Sequence, residues 1–151
     1  MLLRFCLLLL IIPSLLYSRP IPKTAGAVRT PVPPVMDGEL DEQVWMLANP
    51  LTDFLQYDPV FGAPPSQATE VRILFDDKAI YIGARLYDTA PDSILKQLGN
   101  RDDGLNADLF GIQFDTYHNG LDAYIFEVYA SGVQRDSRRS DHTFNAVWES
   151  A

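Results

Sequence analysis

Carboxylates dominate the residues able to do chemistry here. They fall into groups: Asp37, Glu39 and Asp41; Asp76 and Asp77; Asp102, Asp103 and Asp108. Two carboxylates across a cleft are what glycoside hydrolysis needs. Local roles account for most of these. Asp76-Asp77-Lys78 falls in a turn, where Asp side chains bond nearby backbone amides. Asp37 and Asp41 flank a helix start and can cap it. Asp102, Asp103, Asn106 and Asp108 make a loop dense in oxygen ligands, a set that can hold a structural calcium ion. The closing glutamate of an EF-hand is missing from that spacing, and capping is the competing reading. The two histidines are His118 and His142; His118 adjoins Asn119-Gly120, a tight-turn signature. No G-x-S-x-G elbow, glycine-rich phosphate loop or H-E-x-x-H pair occurs. The expectation is a binding module with no catalytic residues, no metal ligand set of the zinc type and no certain cofactor.

Aromatic side chains are the other candidates. Sugars present C–H faces that stack on Trp and Tyr, while polar groups bond the hydroxyls. Trp45 follows Val44 on a short helix and reads as a core anchor, and Trp148 alternates with Ala146 and Ser150. Tyr57, Tyr117 and Tyr129 lie near strand ends or turns, where exposure is expected.

The chain has 151 residues, 20 acidic and 12 basic, for a net charge of −8. One domain is expected at this length. The acidic balance excludes a nucleic-acid partner, which needs clustered Lys and Arg, and disfavours an anionic membrane surface. Arg4, the apolar run from Phe5 to Ile12, Pro13 and the small Ser18 follow the secretory pattern, so residues 1–18 read as a signal peptide. The apolar run is too short for a spanning helix. Cys6, the single cysteine, lies inside it, so the mature chain carries no disulfide. An exported protein is implied: periplasmic, outer-membrane-associated or extracellular.

These groups must be positioned by short elements. Residues 19–34 carry Pro20, Pro22, Pro31, Pro33 and Pro34, an extended linker or edge segment. The pattern predicts a short helix over Glu42 to Ala48, capped by Asp41 and stopped at Asn49-Pro50, then a strand over Leu51 to Tyr57. Asp58 to Gln67 is a Pro/Gly loop. Val71, Ile73 and Phe75, then Ile80, Ile82, Ala84 and Leu86, alternate with polar residues and predict a hairpin burying that apolar row. Asp88 to Gly104 is irregular, with a helical turn after Pro91. Strands are predicted over Asp108 to Asp115, Leu121 to Ala130 and from Ala146; Val133 to Thr143 reads as loop. About seven short strands with turns between them describe an all-β chain, an antiparallel β-sandwich of jelly-roll kind over residues 35–151. The chain stops in what reads as mid-strand, so further strands are expected beyond Ala151.

At Met36-Asp37-Gly38-Glu39-Leu40-Asp41-Glu42 with Trp45, the chain resembles the family 9 carbohydrate-binding modules, which open with an apolar-Asp-Gly-x-x-Asp-x-x-x-Trp stretch. The resemblance continues through Thr69 to Asp77, Ile80-Tyr81-Ile82 and Asp108 to Asp115. It is closer to a subgroup in which the module precedes an outer-membrane-type β-barrel, on Gly62-Ala63-Pro64-Pro65, Arg101-Asp102-Asp103, Asp115-Thr116-Tyr117, Gly132 to Asp136 and Val147 to Ala151. The resemblance implies a β-sandwich that binds a polysaccharide or oligosaccharide in polysaccharide breakdown. It also implies a barrel or hydrolase domain as C-terminal partner. Family members clamp a sugar between two Trp; the position matching the first is Leu105, which cannot stack. The matching acidic and basic contacts fall near Gly111 and Glu127, and the second Trp would lie beyond Ala151. The expected sugar site therefore runs along the Asp108–Asp115 and Leu121–Ala130 strands and their loops, with Asp108, Tyr117, Glu127, Arg135 and Asp136 as candidates. The alternative is a docking domain of a barrel protein without sugar affinity.

Overall fold

A computed structural model describes residues 23–141 and 143–151. The expected signal peptide, its Cys6 and His142 lie outside the described residues. The strongest sequence pattern forms the expected hairpin: β2 (Thr69–Phe75) pairs antiparallel with β3 (Ile80–Leu86). Asp76 closes the turn. Its Oδ1 accepts from the amides of Lys78 (2.7 Å) and Ala79 (2.9 Å), and its Oδ2 accepts from the Tyr81 hydroxyl (2.9 Å). Inside the proline-rich stretch, β1 (Val28–Arg29) adds a parallel edge to β2, completing a three-stranded sheet of order β1-β2-β3.

The core lies on the other face from the one the alternation predicts. Trp45, Ala48 and Leu74 are buried together, with Val28, Leu40, Val44 and Tyr81 packed around them. Leu74 pairs with Tyr81 and Arg72 with Gly83, so this row looks half polar in sequence. Two features make it buriable. The Arg72 guanidinium donates to the carbonyls of Trp45 and Ala48, satisfying backbone groups of the covering segment. Gly83 has no Cβ; one there would stand 2.8 Å from Leu40 Cδ2 and 3.0 Å from Trp45 Cζ3. The indole thus lies directly on the strand. On the predicted face Val71 is buried, but Ile80 and Leu86 are exposed.

The covering segment is also tighter than expected. Gln43–Leu47 is a 3₁₀ helix preceded by Glu42, with no side-chain cap from Asp41. Glu42 acts as a clip instead: Oε1 accepts from the Val35 amide (2.7 Å) and Oε2 from the Trp45 indole (3.0 Å). The predicted strand over Leu51 to Tyr57 shrinks to one bridge between Leu51 and Val71. A second short 3₁₀ turn, Pro91–Ser93, falls where the sequence places it.

The second sheet is β4 (Leu109–Phe114), β5 (Tyr124–Tyr129) and β6 (Gln134–Arg138), all antiparallel in that order. β6 occupies a stretch read as loop, because its polar side chains all find partners. The expected strand from Ala146 is absent: the segment 144–151 is irregular. It crosses the Phe126 side of the sheet, with the Trp148 ring 5.4 Å and the Phe144 ring 6.4 Å from the Phe126 ring. The described residues are therefore mostly β, two small three-stranded sheets with almost no helix.

Candidate functional site

Strand alternation puts Glu127 and Arg135 on one side of the second sheet and Asp136 on the other, while Asp108 and Tyr117 lie outside its strands. Gly111, Glu127 and Arg135 form one row across β4, β5 and β6. Arg135 Nη1 lies 3.2 Å from Glu127 Oε2, a half-exposed ion pair. The Glu127 stem packs closely over Gly111: a Cβ there would meet Glu127 Cγ at 3.2 Å. Leu109 and Gln113 flank this strip and are exposed, so it is open to ligand.

Asp136 projects to the other side. Its side chain has 0% exposure and is fully engaged. It accepts from the Arg101 guanidinium, from the Trp148 indole (3.1 Å) and from the Ala146 amide (2.7 Å). Arg101 also donates to Gln134 Oε1 (2.7 Å) and the Ala146 carbonyl (2.7 Å). Asp102, at a left-handed φ of 67°, accepts from the Asp136 amide (3.0 Å). Asp136 is a clasp joining the loop before β4, β6 and the segment 144–151. With every oxygen committed inside, it is not placed to meet a sugar.

Asp108, by contrast, is exposed. Its Oδ2 accepts from the Leu95 amide at 3.0 Å, just ahead of β4. Asp103 Oδ2 accepts from the Asn100 amide (2.8 Å), and the Asn106 amide donates to Gln97 (2.9 Å). The carboxylates of Asp102, Asp103 and Asp108 thus accept from three separate backbone amides. No group of three His, Cys, Asp or Glu able to hold a metal occurs among the described residues.

Tyr117 is 66% exposed in the β4–β5 hairpin. Asp115 orders that loop by accepting from the amides of Gly120 (2.7 Å) and Asn119 (3.2 Å), and the Gly120 amide leads in holding its carboxyl below the ordinary value. His118 is exposed there at φ 52°, a turn residue as its neighbours imply. Arg138 is paired with Asp122 (2.7 Å) and sits over the Tyr124 ring. Burial pushes the Asp122 carboxyl up, but the Ser140 hydroxyl, Arg138 and the Ser140 amide together hold it below the ordinary value.

Of the three tyrosines expected to be exposed, Tyr57 and Tyr117 are. Tyr129 is only 3% exposed, and its hydroxyl accepts from the Leu105 amide (3.2 Å). It ends β5 beneath the loop 95–108, where the strand-end argument for exposure fails. Leu105 itself folds inward over Gly99, where a Cβ would stand 2.5 Å from its Cδ2. The residues missed by sequence reading are Arg101, Arg138 and Glu42. Arg101 and Arg138 depend on partners 35 and 16 residues away, whereas Glu42 clips groups three and seven residues away through a fold of the chain that no periodic pattern marks. No protein-family model, curated protein or solved structure matches the chain.

Proposed function

We propose that this chain is an exported, non-catalytic carbohydrate-binding module of the family 9 kind. In this reading it is an antiparallel β-sandwich that serves polysaccharide binding and breakdown within a larger secreted or outer-membrane protein. The observation that carries the reading is the solvent-reached strip Gly111–Glu127–Arg135, where a carboxylate and a guanidinium lie side by side on the sheet. Such a strip offers donors and acceptors for sugar hydroxyls on a rigid sheet, which costs little to order on binding. The test is isothermal titration of xylo- and cello-oligosaccharides, with and without Ca²⁺. Binding at millimolar sugar, weakened by Glu127→Ala and by Arg135→Ala, supports the reading; no heat at that concentration sinks it. A calcium ion in the Asp102–Asp108 loop, the proposed structural cofactor, requires that added Ca²⁺ raise the melting temperature.

A second reading has its own support. Leu105, at the position that matches a stacking Trp in the family, is turned inward and offers no ring. That favours a docking domain of an outer-membrane barrel protein without sugar affinity. A downstream reading frame of alternating strands with aromatic girdles would favour it, together with silent titrations.

A further inference from the structure

The loop between Leu51 and β2 presents an aromatic corner that the strip on the second sheet does not include. Tyr57 is 85% exposed and Phe61 78%. Their ring centroids are 6.0 Å apart and their planes meet at 83°, so each ring shows the other its edge and leaves a face to solvent. Large rings held out in water carry a hydrophobic cost that folding alone does not require, and adjoining ones mark interaction sites.

The corner is built, not frayed. The Gln56 amide donates to the Ala63 carbonyl (2.9 Å), the Gly62 amide to the Gln56 carbonyl (2.9 Å) and the Ala63 amide to the Val60 carbonyl (3.1 Å). Gly62 takes φ 79°, the left-handed conformation that lets the loop close on itself. Leu51 then anchors the loop to Val71 through two backbone bonds of 2.8 and 3.0 Å. Rings held this way lose little freedom when a ligand arrives.

We propose that Tyr57 and Phe61 form a stacking site for a neutral glycan chain, separate from the Glu127–Arg135 strip. Three observations choose this ligand class. Polar groups flank Tyr57: Gln56 and Asp58 adjoin it in sequence and its own hydroxyl is polar, and a pyranose needs both C–H stacking and hydroxyl partners. The net charge of −8 opposes polyanionic ligands such as nucleic acids, acidic glycans and anionic lipid surfaces. A corner of two edge-on rings gives one face for a sugar and one wall beside it, a shape suited to a chain lying along the loop. The inference rests on the carbohydrate reading above.

The experiment is titration of cellohexaose and xylohexaose into the wild-type protein and into Tyr57→Ala, Tyr57→Trp and Phe61→Ala. Both rings are exposed, so melting temperatures should match wild type. Affinity should fall roughly tenfold in each alanine variant and be restored in Tyr57→Trp, which keeps a ring face. Wild-type binding that both alanine variants leave unchanged, while Glu127→Ala weakens it, overturns the corner and leaves the module standing. No wild-type binding overturns both. A dimer seen by ultracentrifugation that Tyr57→Ala dissolves, with no sugar dependence of affinity, identifies the patch as a self-association surface and overturns the glycan assignment.

Discussion

The two sheets are equally wide, three strands each, yet different forces hold them. The β1–β3 sheet is covered by an apolar lid: Trp45 and Ala48 lie on Leu74, and Arg72 on the same face is spent on lid carbonyls. The β4–β6 sheet is covered by the segment 144–151. That segment sits on Phe126 through Phe144 and Trp148 but is fixed by Asp136, which bonds Ala146 and Trp148 directly. One lid is held by removing apolar surface from water, which is non-directional and tolerant of small shifts. The other is held by a buried carboxylate whose partners must all be present, because a half-satisfied buried charge costs more than none. The difference predicts that the two sheets fail separately and for different reasons.

The largest effect is expected at the apolar lid. Trp45→Ala removes a large buried ring and the indole bond to Glu42, and should cost about 4 kcal/mol in urea denaturation. Hydrogen exchange of the variant should show the amides of β2 and β3 losing protection before those of β5. Equal loss in both sheets would show one shared core and erase the contrast.

Next comes the polar clasp. Asp136→Asn keeps the size of the side chain but leaves the Arg101 guanidinium without its buried counter-charge. The cost should be about 2–3 kcal/mol, below the usual range for buried pairs because Arg101 is partly open to water. Exchange should now quicken in β6 and the segment 144–151 while β2 keeps its protection. A stability change under about 0.5 kcal/mol would mean that the aromatic contacts alone hold the lid.

How far each sheet could be read from sequence follows the same division. The hairpin of Thr69 to Leu86 was visible because alternation is a local signal, and both strands form and pair in the structure. The choice of buried face was not visible. It turns on Gly83 admitting an indole from a segment some forty residues earlier, and on Arg72 reaching carbonyls in that segment. β6 was hidden because Gln134 to Arg138 is polar throughout; Glu127, Asp102 and Asp122 satisfy it from other elements. For the candidate site, sequence named Glu127 and Arg135 but read residues 133–143 as loop, so the row they share appears only in the structure. Sequence could not separate them from Asp136, the next residue, because one step along a strand reverses the face. Aromatics at strand ends divided similarly: Tyr57 and Tyr117 are exposed, whereas Tyr129 is covered by a loop whose path no local pattern reveals.

The acid limb of stability gives a smaller test at the other end of the second sheet. Asp122 is held below the ordinary carboxylate value by Ser140 and Arg138, against the upward push of burial. Its contribution is therefore complete above the unfolded value. As pH falls between the unfolded and the folded value, the unfolded chain takes up the proton first, and the contribution is lost. Asp122→Asn should be less stable than wild type at neutral pH, with the two converging as the buffer is acidified through the carboxylate range. Parallel curves from pH 7 to about pH 2 would show that the Arg138 pair adds nothing to folding.

The smallest effect is expected at the strip itself. Glu127 and Arg135 face each other across β5 and β6 at 3.2 Å, but both are reached by solvent. A double-mutant cycle with Glu127→Ala and Arg135→Ala should give a coupling below about 1 kcal/mol, and it should shrink as salt is added. That weakness matters for the proposed module. A pair that contributes little to folding can exchange its mutual contact for bonds to sugar hydroxyls at small cost, whereas the Asp136 clasp cannot. Repeating the cycle with saturating cellohexaose should shift the apparent coupling, since the ligand would then touch both groups. A coupling that stays the same with and without sugar, in a protein that binds it, would move the site off this strip.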